Sequence, residues 1–121
     1  MVQLIGRGDQ LLGCAQVMIE FWTVATRPKK VNGLGLTPAE AEASLRDAEQ
    51  LITFLPEPPD IAIRWRVLAN LHRVQGKQAH DTRLAAFMEA HGLTNLLTLN
   101  GADFARFKGL VCLSPEAVPL P

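Results

Sequence analysis

"GKQAHDTRLAAFMEAHGLTNLLTLNGADF" (residues 76–104) decides the fold. From about residue 79 to 91 it reads as an apolar helix that stops at Gly92. "TNLLTL" (94–99) then reads as a buried strand. "NGADFARF" makes a turn with one helical turn, and "GLVCL" (109–113) is a final strand. Two carboxylates stand at the junctions. Asp81 opens the helix, and Asp103 follows the strand by a few residues.

Upstream, "QLLGC" (10–14) is a short apolar run ending at small residues, the pattern of a buried strand. "AQVMIEFWTVATRP" reads as a helix with Val17, Phe21 and Val24 on one face, ended by Pro28. "KKVNGLGL" (29–36) is a glycine-rich loop. Thr37 caps a helix running through "TPAEAEASLRDAEQLITFL", with Pro38 at its first position and Glu40 three residues after the cap. "PEPPD" (56–60) is a rigid connector, and Asp60 caps "IAIRWRVLANLHRVQ", which Gly76 ends. Strands separated by helices predict an α/β fold with a parallel sheet. Ligands of such sheets gather at the carboxyl ends of the strands, where Asp103 falls.

The chain has 121 residues, enough for one domain with a real core. Lys+Arg and Asp+Glu both number 12, so no overall basic field advertises nucleic acid. Cys14 and Cys112 are far apart and form no metal-binding cluster; buried thiols in a reducing cytoplasm are expected. No apolar run reaches the roughly 18 residues of a membrane span. The opening "MVQLIGRGDQ" has no basic leader followed by an apolar segment, so a cytoplasmic protein is expected.

The carboxylates carry the chemistry. Glu20 lies three residues after Val17 and four before Val24, on the face that should pack inward. A charge there costs on the order of several kcal/mol unless it is paired, protonated or bound to a cation. An ion pair with a nearby Lys or Arg, or a face only partly covered, is the alternative explanation. Asp81 suits the positive end of a helix as a cap, and the same placement holds a carboxylate rigidly toward a metal. Asp103, and Asn100 just past the strand end, fit ordinary turn chemistry. Together, Glu20, Asp81 and Asp103 can converge at one edge of a parallel sheet, and oxygen ligands are what Mg²⁺ or Mn²⁺ prefer. His72, His80 and His91 share no metal-ligand spacing. Phe21, Trp22 and Trp65 read as core residues. Ser44, Ser114 and Cys14 lack a matched base, and "NGLGL" lacks a P-loop lysine. Arg27, Lys29, Lys30 and Lys77 form either a basic rim or ordinary solvated surface.

"QVMIEFWTVATRP", "KQAHDTRLAAFMEAHGLTNLLTLNGADFARF" and "GLVCLSP" resemble the PIN-domain family, specifically ribonucleases of the VapC toxin type from bacterial toxin–antitoxin pairs. The resemblance covers residues 11–115. It implies a three-layer α/β/α fold over residues 1–115 with a short parallel sheet, followed by a Pro-rich tail over 116–121. It also implies Mg²⁺ or Mn²⁺ held by acids, hydrolysis of RNA, an antitoxin partner and homodimerisation. Glu20 matches the acid on the helix after the second strand, and Asp81 the acid opening the later helix. The fourth acidic position falls in "NGADF", with Asp103 the natural candidate and Asn100 a substitute.

One departure stands out. Members of that family begin with a strand carrying an Asp, as in "DTNVL", and then a helix. Residues 1–9 instead read as the end of that helix, with "RGDQ" a helix-to-strand turn. The expectation is therefore a PIN-like chain without its central strand and most of its first helix, shortened at the N-terminus or decayed. That leaves two inner strand edges bare and catalysis weakened. A non-catalytic module that binds an antitoxin-like protein is the alternative function.

Overall fold

The computed structural model describes residues 4–7, 10–97 and 101–113. Among the described residues, five strands and four helices follow one another in the order β1 (Leu4–Arg7), β2 (Gln10–Gly13), α1 (Ala15–Thr26), α2 (Pro38–Ala48), β3 (Ile52–Phe54), α3 (Ile61–Leu71), α4 (Gln78–Ala90), β4 (Asn95–Leu97) and β5 (Val111–Leu113). Short 3-10 segments cover Lys29–Val31 and Gly101–Phe104. The α/β class expected from the sequence is the class observed.

The sheet order is β3-β2-β1-β4-β5. β2 pairs with β3 in parallel, and β4 with β5 likewise. β1 pairs antiparallel with both β2 and β4. Four strands therefore share one direction, and the strand at their centre runs against them. Here the sequence-based expectation is corrected: within the segment read as a helix end, Leu4–Arg7 is a strand, and it fills the central position. Ile5 pairs with Leu12 on one side and Leu96 on the other, so β2 and β4 keep ladder partners along their inner edges.

A second correction concerns the helix after Thr37. Its start is as expected: Thr37 accepts from the Glu40 amide, Glu40 accepts from the Thr37 amide, and Pro38 sits in the first turn. It ends at Ala48, and Ile52–Phe54 becomes strand β3. The β-branched pair Ile52–Thr53 with aromatic Phe54 suits a pleated surface better than a helical turn. Asp60 occupies the N-cap of α3, yet its carboxylate accepts from Arg64 Nε at 2.9 Å instead of capping.

The core is built on α4. Leu84, Phe87 and Met88 pack with Leu12 of β2, Cys14 at the N-cap of α1, Val17 of α1, Leu93 and Leu96 near β4, and Phe104 and Phe107. Each such side chain contributes about 1.5–3 kcal/mol by leaving water. α3 lies against α4, and α1 against α2. Trp65, Phe21 and Trp22, expected in the core, are only half-buried. Cys14 is buried as expected, whereas Cys112 is exposed on the edge strand β5. The tail over 116–121 lies outside the described residues. Among the described residues no helix is long and apolar enough to cross a membrane.

Candidate metal centre

β2 ends at Gly13, and α1 begins two residues later, so the N-terminus of α1 stands at the carboxyl end of a parallel strand. Glu20 lies midway along α1 and is half-buried. Asp81 is half-buried in the first turn of α4, while Lys77 takes the N-cap position without a side-chain capping bond. Asp81 is thus not the cap that its place in the sequence suggested. Asp103 lies on the 3-10 segment Gly101–Phe104, beyond the carboxyl end of β4, and is exposed. Asn100 falls outside the described residues.

Electrostatics ties these elements together. The Asp81 carboxyl is pushed above the usual carboxylate range, first by burial, then by the negative charges of Asp103 and Glu20. His80 and Arg106 oppose the shift. Acids on two other elements therefore act on the charge of Asp81. The three acids do not form a closed cage: among the described residues no three His, Cys, Asp or Glu side chains are grouped to hold a metal ion.

The first turn of α4 is anchored from several directions. The Gln16 amide Nε2 donates to the His80 carbonyl at 2.8 Å and to Glu20 Oε1 at 3.2 Å. Trp65 Nε1 donates to the Ala79 carbonyl at 2.9 Å, and Thr82 Oγ1 to that of Gln78 at 3.0 Å. Three successive carbonyls just before Asp81 thus each accept a side-chain bond.

Sequence reasoning missed two groups here. Gln16 sits one helical turn before Glu20 on the same face, so the question asked of Glu20 applied equally to it. Arg106, half-buried and three residues after Asp103, faces the acids electrostatically. Of the expected basic rim, Lys77 stands at the α4 N-terminus, one turn before Asp81. Lys29 and Lys30 are exposed beyond the C-terminal end of α1, and Arg27 donates to the Asn32 carbonyl there. His72 and His91 make ring contacts with Phe107 and Phe87, away from the acids.

A family model described as PIN domain matches residues 1–110. The chain belongs to the PIN domain family. PIN domains are generally nucleases that depend on divalent metals, and the match takes in Glu20, Asp81 and Asp103. No curated protein and no solved structure matches the chain. In this PIN domain the central strand reads Leu-Ile-Gly-Arg and supplies no acid.

The donor set fits the metals of the family. Carboxylates are hard oxygen ligands, and Mg²⁺ or Mn²⁺ is commonly held by one or two of them while keeping several waters. A set of carboxylates alone suits such an ion better than it suits zinc, whose sites are built mainly on His and Cys.

Proposed function

We propose that this PIN domain is a metal-dependent endoribonuclease of the VapC toxin type, acting in the cytoplasm and hydrolysing RNA phosphodiesters. Glu20, Asp81 and Asp103 are its catalytic and metal-holding acids. The observation that carries this is the desolvated Asp81 carboxyl, raised further by the charges of Asp103 and Glu20, at the carboxyl edge of the parallel strands. Three like charges brought together lower folding stability, and a cation offsets that cost.

A bound Mg²⁺ or Mn²⁺ supplies an activated water and neutralises charge developing on the phosphodiester. The protein's own groups set the geometry. Asp81, on an anchored helix turn of α4, and Glu20, hydrogen-bonded to Gln16 on α1, belong to the two helices that Gln16 joins. Asp81 must release its proton before it can hold a cation, so metal affinity rises with pH through its raised pKa. Exposed Lys77, one turn before Asp81, and half-buried Arg106, three residues after Asp103, are suited to RNA phosphates. Because β1 contributes no acid, turnover is expected to be slow.

An antitoxin partner and homodimerisation belong to the same proposal and rest on the VapC resemblance. The deciding measurement is Mn²⁺-dependent cleavage of a structured RNA by this chain beside Asp81→Ala. Cleavage by the parent that Asp81→Ala loses is expected. Equal cleavage by both proteins would sink the assignment of the acids.

A second reading is a non-catalytic module that binds an antitoxin-like protein. Two observations favour it: the acid-free central strand, and an exposed apolar stripe on α3 made by Ile63, Val67 and Leu71 at successive turns. Absence of cleavage by either protein would favour this module.

A further inference from the structure

We infer that Gln16 is a positioning residue for the metal centre, a role that rests on the metal-dependent function proposed above. Gln16 is 7% exposed, among the few polar side chains in the buried interior. Both contacts of its Nε2 are to oxygen acceptors, the His80 carbonyl and the Glu20 carboxylate. Turning the amide over would set oxygen against oxygen twice, so the nitrogen is fixed on that side. Its Oε1 is then buried with no hydrogen-bond partner.

A buried amide oxygen without a donor lowers stability, and an apolar side chain of the same size would avoid that loss. The fold keeps glutamine where packing alone would favour leucine or methionine. What the amide does is join two acid-bearing helices. One N–H donates to the Glu20 carboxylate, and the other ties α1 to the carbonyl immediately before Asp81. Trp65 anchors the same turn through the neighbouring Ala79 carbonyl, and no hydrogen bond joins it to an acid. Gln16 therefore sets the spacing of Glu20 relative to Asp81, whereas Trp65 only holds the turn. Groups that orient metal ligands in this way typically change metal affinity 10–100-fold when removed.

The test is calorimetric titration of Mn²⁺ into the full chain, Gln16→Leu and Trp65→Phe, with thermal unfolding of each protein without metal. Gln16→Met replaces the leucine variant if that one does not fold. The expected result is a melting midpoint near the parent's for the Gln16 variant, with Mn²⁺ affinity about 10–100-fold weaker. Trp65→Phe should melt lower and keep parent-like affinity. Unchanged Mn²⁺ affinity in the Gln16 variant overturns the inference alone. Equal weakening by Trp65→Phe also overturns it, because helix anchoring would then explain the effect. If the parent itself binds no Mn²⁺, the inference falls together with the metal-dependent reading.

Discussion

Asp81 illustrates how one side chain can serve a site at the fold's expense. Its carboxyl is raised by burial and by two neighbouring negative charges. The folded state therefore holds the proton more tightly than the unfolded chain. The sign follows from linkage: stability is greatest at acid pH and declines as pH rises from the unfolded value through the raised one. Asp81→Asn removes that decline. It should be more stable than the parent near neutral pH, by up to about 1 kcal/mol for a half-exposed group, and so melt at a higher temperature. The gain should vanish as the melts are repeated toward pH 3. A constant difference across the pH range would show that the Asp81 charge is not what destabilises the fold. The sequence singles out Glu20 as a charge on an inward face, and the two aspartates by their places at element junctions. Gln16 stands out less, since an uncharged amide on a helix attracts no suspicion until its partners are seen.

The elements were legible where capping or glycine chemistry marks them. Thr37, Pro38 and Glu40 start α2 as the sequence indicates. Gly92, at a φ of 67°, closes α4, with the Leu93 amide donating to the Met88 carbonyl and the Gly92 amide to that of Glu89. Two strands escaped notice for different reasons. β3 has three residues, too few for periodicity to separate it from the helix before it. β1 was hidden by expectation, although Gly8-Asp9 between two short apolar runs is the dipeptide of a two-residue hairpin. The central position of β1 makes it sensitive. Gly6 pairs with Leu11 on one side and Asn95 on the other. Gly6→Pro cannot donate to a ladder, and a loss on the order of 3 kcal/mol is expected, as for proline in other hydrogen-bonded interiors. Denaturant unfolding measures it, and a midpoint equal to the parent's would contradict the central placement of β1.

At the scale of the molecule, α1, α4 and the segment after β4 are separate in sequence, and the sheet brings their acids together. A cation at that junction couples to the whole fold. Mn²⁺ at a hundred times its dissociation constant should add about 2.7 kcal/mol of stability. That corresponds to a rise in melting temperature on the order of 10 °C for a chain of this size. Asp81→Ala should show no such rise, and a scan with and without Mn²⁺ is sufficient to decide. The reversed central strand has a consequence for speed as well as for shape. In an all-parallel sheet every neighbouring pair needs a crossover, so the middle closes only after long loops have been ordered. Here β1 and β2 are adjacent in sequence and antiparallel, with Arg7 facing Gln10. Hairpins of this kind form in roughly 1–10 μs, well before distant segments find one another. The middle of the sheet becomes its quickest part to assemble, a ready template on which β3 and β4 add from either side.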